Sequence, residues 1–190
     1  MAASALAPGR APVLADHIAS TRVRQVVLVA GYALAAAAAA NVAFSVPFSP
    51  VPITLQTFVV LLGAAALGPS RATAGMALYL GLGVLGVPVF AVTGGATLGY
   101  LLGFAAAAAL VGAGARRCGD RTVARAAVLM VVGNVVIYVT GVAGLLLVMP
   151  FGIEEALMAG VVPFLAGDAI KIAAAAALLP SAWRMVRRVD

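Results

Sequence analysis

Asp168 and Lys171 stand three residues apart inside the apolar run Val161 to Leu179. Three residues turn a helix by about 300°, so the acid and the base share one face. A charge in a bilayer core costs at least ~2.5–3.5 kcal/mol on insertion scales, so the pair is expected to face a polar cavity and touch what occupies it. The alternative is an ion pair complete in itself that only fixes helix packing. Two further polar groups punctuate apolar runs: Thr54, Gln56 and Thr57, then Thr93, Thr97 and Tyr100. Thr54 suits an N-cap, whereas Gln56, further into the run, reads better as a ligand contact. Tyr100 fits either a pocket wall or an interfacial belt, and Trp183 is expected in such a belt. Asn134 and Tyr138 are expected to hydrogen-bond between helices.

Other chemistries lack their residues. There is no G-x-x-x-x-G-K-[ST] run, so the chain is not expected to hydrolyse ATP itself. The single histidine, His17, lies in the N-terminal segment, which leaves no histidine for a metal or acid–base site within the apolar runs. An intramembrane aspartyl protease needs two carboxylates where only Asp168 is available. No enzyme, metal or cofactor is expected.

The elements that must position these residues follow from composition. Apolar residues make up 64% of the 190-residue chain and charged residues 9%, against about 25% charged in soluble domains. Mean hydropathy is +1.15. Six spanning helices of ~20 residues fill the length. The apolar runs place them at Val26–Phe44, Thr54–Leu67, Ala72–Val87, Thr97–Ala115, Ala126–Val148 and Pro163–Pro180, an all-α integral membrane fold. Residues 1–24 and 183–190 read as cytoplasmic tails around a transmembrane domain at 25–182.

The basic residues set the orientation. Arg10, Arg22 and Arg24 precede the first span, and Arg71 lies between the second and third. Arg116, Arg117, Arg121 and Arg125 lie between the fourth and fifth, and Arg184, Arg187 and Arg188 follow the sixth. Eleven of twelve basic residues thus fall on one face, the twelfth being Lys171. By the positive-inside rule both termini are cytoplasmic, in a multi-pass protein of the cell inner (plasma) membrane. The net charge of +6 is accordingly a topology signal, with no nucleic-acid partner implied. The lone Cys118 excludes an internal disulfide.

In this orientation spans 2, 4 and 6 begin on the outer side, where their N-termini offer unpaired N–H groups and a partial positive charge to an anionic group. Pro47, Pro50 and Pro52 force an extended path before span 2. That span has about 14 residues, ~21 Å long against a ~30 Å core. The segment Pro50 to Thr54 is therefore expected to dip into the membrane, and Thr93 to Thr97 has the same character. The two loops and the charged pair predict an outward-opening pocket. On span 1, Ala35 and Ala39 lie on a small-residue face suited to packing within the bundle or to docking a partner subunit.

Three segments carry a resemblance. Pro50-Val51-Pro52-Ile53-Thr54-Leu55-Gln56-Thr57 resembles the proline-rich approach to helix 2 of the BioY family, the biotin-binding S-components of energy-coupling-factor (ECF) vitamin transporters. Gly95-Ala96-Thr97-Leu98-Gly99-Tyr100-Leu101-Leu102-Gly103-Phe104 resembles its G-P-T-G-G-Y-L-x-G-F stretch, and Gly167-Asp168-Ala169-Ile170-Lys171 its G-D-x-x-K. Ala96 replaces a proline and Leu98 a glycine of that pattern. The resemblance implies biotin as ligand. Asp168 would accept from the ureido N–H groups with Gln56 and Thr54, and Tyr100 and Phe104 would pack the ring or the tail. Thr97 and Gly99, within the second stretch, join the implied binding set. Lys171 would meet either the carboxylate or the ureido carbonyl, a choice the sequence leaves open. The implied partners are a membrane T-component, docking at Ala35 and Ala39, and ABC-type ATPases, although some members are thought to act alone. The alternatives are an S-component for another vitamin and a partner-free small-solute permease.

Overall fold

The structure, a computed structural model, describes residues 11–18, 21–91 and 94–189, with side chains as far as 186. Thr93, Arg10 and the side chains of Arg187 and Arg188 lie outside the described residues. The helices are α1 (Arg22–Ala40), α2 (Gln56–Leu67), α3 (Pro69–Val84), α4 (Leu98–Ala115), α5 (Val123–Val148), α6 (Ile153–Gly160) and α7 (Val162–Val189). Six of them overlap the expected runs, but α1 lies four residues earlier than expected and α7 continues through Pro180 to Val189, nine residues past the expected end. The short α6 is an addition, because Glu154 and Glu155 open a helix instead of lying in a connection. Acids suit a helix N-terminus, and the Glu155 carboxylate accepts the Gly152 N–H at 2.9 Å.

The path between α1 and α2 contains a short antiparallel ribbon, β1 (Ala43–Phe44) with β2 (Ile53–Thr54). The proline-containing loop between them is anchored by Ser49, whose hydroxyl donates to the Ala159 carbonyl at 2.7 Å. Among the described residues, four helical segments are long and apolar enough to cross a membrane: Arg22–Ala40, Gly95–Ala115, Val123–Val148 and Ile153–Val186. These make a multi-pass membrane protein. α2 has 12 residues, or ~18 Å.

Two glycines set a close approach between α4 and α5. A Cβ at Gly99 would strike the Thr140 carbonyl and lie 2.9 Å from the Gly144 Cα, and one at Gly103 would strike the Thr140 hydroxyl. α4 and α5 therefore meet backbone to backbone at this end. Gly99→Ala is expected to destabilise the protein by about 1–3 kcal/mol, read as a fall of several degrees in Tm in detergent.

At the opposite end the arginines converge on two acids, the half-buried Asp16 and the buried Asp120. The Asp16 carboxylate accepts from Arg71 at 2.7 Å, from Arg116 at 2.9 Å and from the Val13 N–H at 3.0 Å. It thereby ties the N-terminal segment to the start of α3 and the end of α4. Burial pushes the Asp16 pKa up, but the Val13 N–H and the two guanidinium groups outweigh it and hold the carboxyl below its ordinary range. A depressed carboxylate stabilises the fold above its unfolded pKa, ~3.9, and that contribution is lost as pH falls through the folded value. Asp16→Asn should therefore cost about 1–3 kcal/mol at pH 7, with the Tm difference shrinking below about pH 4.

Trp183 departs from the belt expectation. It is 2% exposed, its indole N–H donates to the buried Asp120 carboxylate, and the Arg121 guanidinium lies 3.4 Å from its ring centroid. An indole that can satisfy its donor on a buried acid has no need of the interface. The α1 face also differs from the expected docking face. Tyr32, Ala36, Ala39 and Ala40 form the inward stripe at helical spacing, so Ala39, 4% exposed, packs inside the bundle and is not available for docking. Ala35 is exposed.

Candidate functional site

One cavity is walled by the β2–α2 junction, the first turns of α4, the middle of α5 and the early part of α7. Thr54, Gln56 and Thr57 line one side, Asp168 and Lys171 another, and Tyr138 of α5 joins them. The rest is apolar and aromatic: Val51, Pro52, Phe90, Leu101, Phe104, Ile137 and Phe164, with Thr97 and Tyr100. Few polar groups on an apolar wall is the usual composition of a small-molecule site. Asp168 is 2% exposed and lies 15 residues before Trp183, ~22 Å along α7. The cavity and the arginine cluster thus occupy opposite ends of the bundle.

The hydrogen bonds decide what each polar group can still do. Lys171 Nζ donates to the Thr54 carbonyl at 2.7 Å, to Thr57 Oγ1 at 3.0 Å and to Asp168 Oδ1 at 2.8 Å. An ammonium has three donors, so all are committed to the protein. Asp168 Oδ1 also accepts from the Thr57 hydroxyl at 2.9 Å, and Oδ2 accepts from the Tyr138 hydroxyl at 2.6 Å. A carboxylate offers about four lone-pair sites. Three are filled, and one remains on Oδ2.

Gln56 is held in one orientation. Its Nε2 donates to the Ala36 carbonyl at 3.3 Å and to the Tyr79 hydroxyl at 2.7 Å, and Tyr79 in turn donates to the Val89 carbonyl. Both amide donors are thereby used, leaving Oε1 as an acceptor whose one partner among the described residues is the Thr54 hydroxyl at 3.4 Å. Thr54 Oγ1 also accepts the Gln56 N–H at 3.3 Å, capping α2 from just outside it. The carboxylate and the amide therefore each keep an open acceptor, at Asp168 Oδ2 and Gln56 Oε1, and the ammonium has no unused donor.

The structure gathers Thr54, Gln56, Thr97, Tyr100, Phe104, Asp168 and Lys171 around this cavity. Gly99 is not among the lining residues; it is turned toward α5, where only the absence of a side chain permits the contact described above. Tyr100 presents its ring to the cavity while its hydroxyl donates to the Gly160 carbonyl at 2.7 Å, so it is buried and not a belt residue. Asp168 and Lys171 are not at a helix start, because α7 begins at Val162, more than a turn earlier. The α7 N-terminus thus does not bring its N–H groups to the pair.

Tyr138 makes the expected interhelical bond, to Asp168, but it also lines the cavity, which the sequence reading missed. Asn134, one turn before it on the same face of α5, is buried with Oδ1 unpartnered among the described residues. It borders a small second cavity with Thr57 and Lys171.

The family model described as "BioY family" matches residues 12–188. The biotin transporter BioY of Thermotoga maritima is 39% identical over 142 residues, 70% of this chain and 80% of that one. The chain belongs to the BioY family. The probable biotin transporter BioY of Pyrococcus horikoshii is 35% identical over 138 residues, covering 69% of this chain and 80% of its own. Among solved structures, the S-component for biotin from an ECF-type ABC transporter has the same fold. Its TM-score is 0.75 at 19% identity, over 86% of this chain and 92% of that one.

Proposed function

We propose that this chain is the substrate-specific, biotin-binding subunit of a vitamin uptake system in the cell inner membrane, and that it performs no catalysis of its own. The observation that carries the reading is the pair of open acceptors. A ureido head has two N–H donors, and Asp168 Oδ2 and Gln56 Oε1 supply one acceptor for each. Tyr100, Phe104, Phe90 and Phe164 give the thiophane ring and the tail an apolar enclosure.

Lys171 acts through Asp168. With its donors on Thr54, Thr57 and Asp168, it holds the carboxylate in place and aimed. In this account it holds neither the ligand carboxylate nor the ureido carbonyl. The cavity measures about 50 Å3, below the ~300–1,000 Å3 of formed ligand sites. Biotin therefore enters as the walls part, and Val51, Pro52 and Phe90, carried by connections and not by helices, are the walls that give.

α2 and α3, too short to count among the four long spans, complete six crossings. The arginine end faces the cytoplasm, with residues 1–24 and 183–190 on that side of the domain at 25–182. A membrane T-component and ABC-type ATPases energise uptake, for which the exposed Ala35 face of α1 is available. A thermal-shift panel of vitamins on the purified protein tests the ligand. Biotin alone should raise Tm, and stabilisation by thiamine or riboflavin to the same extent would overturn the assignment. Uptake by cells lacking every T-component and ATPase would instead favour a partner-free permease.

A further inference from the structure

α4 and α5 touch at the cavity end and leave a lateral groove of about 610 Å3 between their arginine-side ends. Leu110 and Ala113 of α4 and Val128 and Val132 of α5 make its walls apolar. Arg117 and Arg125 stand at its mouth. Both are exposed, and neither side chain has a hydrogen-bond or ion-pair partner among the described residues. By contrast, Arg71 and Arg116 are each bound to Asp16, and Arg121 to the Pro12 carbonyl. Arg125 also lies in the first turn of α5, where the helix dipole disfavours a cation, so helix stability does not explain it.

We infer that this groove binds an anionic phospholipid, with the headgroup phosphate between Arg117 and Arg125 and an acyl chain along the groove. Guanidinium groups engage phosphate oxygens through paired, charge-assisted hydrogen bonds. Two unpaired arginines beside an apolar channel therefore match both halves of such a lipid, and basic pockets between helices at the cytoplasmic side take anionic headgroups. The apolar wall distinguishes this ligand from a soluble phosphate. The inference rests on the membrane-spanning reading and is independent of what the cavity binds.

Native mass spectrometry of the detergent-purified protein tests it, with dioleoyl phosphatidylglycerol, dioleoyl phosphatidylcholine and chain-free glycerol 3-phosphate as probes. Phosphatidylglycerol should be retained about tenfold or more in preference to phosphatidylcholine. Arg117→Gln/Arg125→Gln should abolish that preference, while Arg184→Gln, on another exposed stretch of the same end, should keep it. Equal retention of the two lipids, equal loss in Arg184→Gln, or competition by glycerol 3-phosphate at equal concentration would overturn the inference. Biotin binding by the same samples, expected unchanged in the double variant, reports on the cavity separately.

Discussion

Asp168→Asn is expected to weaken biotin binding by at least ~100-fold, or ~2.8 kcal/mol, in equilibrium titration of the folded variant. Three donors converge on this carboxylate, from Lys171, Thr57 and Tyr138. An asparagine must turn its NH2 toward at least one of them or toward the ligand N–H. Hydrogen bonds to a charged acceptor are worth about 1.5–3 kcal/mol, and the substitution loses the ligand's share and disorders the neighbours. Gln56→Leu should be milder, because Oε1 is a neutral acceptor, and should weaken binding by about tenfold.

The second large effect separates stability from recognition. Lys171→Met leaves the buried Asp168 charge with only two neutral donors, and breaking a buried pair on one side costs about 3–5 kcal/mol. The single variant should therefore unfold at a much lower temperature. Asp168→Asn/Lys171→Met removes both charges, and replacing a buried pair by neutral groups is often close to neutral for folding. Its Tm should return to within a few degrees of wild type, measured by thermal unfolding in detergent. Its biotin affinity should not return. If Lys171→Met instead left Tm intact and lost binding, the ammonium would be a ligand group and not a prop for Asp168.

How much of this was readable in the chain depends on the length scale of each signal. The long helices follow from uninterrupted apolar runs, and the charge count separates the Arg71, Arg116 and Arg184 end from the Asp168 end. The short elements left no such trace. α6 is eight residues opening on Glu154 and Glu155, which read as a polar connection, and two-residue strands carry no periodicity. At the site, residue type and spacing pointed to Asp168, Lys171, Gln56 and Thr54, because a polar group in an apolar run is costly wherever it faces. Spacing does not report on saturation, however. That the three donors of Lys171 are used by Thr54, Thr57 and Asp168 depends on α2 and α7 meeting in space. Gly99 fitted a motif while its role is helix approach, and Tyr138, expected to bond between helices, gave no sign that its partner is Asp168 or that it lines the cavity.

The central claim is that Asp168 supplies the ligand-binding acceptor while Lys171 supplies its support. Calorimetric titration of biotin into purified wild type and into Asp168→Asn/Lys171→Met, both first verified as folded by thermal unfolding, tests it most directly. The account predicts one site of submicromolar affinity in the wild type and no measurable binding in the equally stable double variant. Affinity in that variant within a few-fold of wild type, or a wild-type affinity no tighter than micromolar, would contradict it.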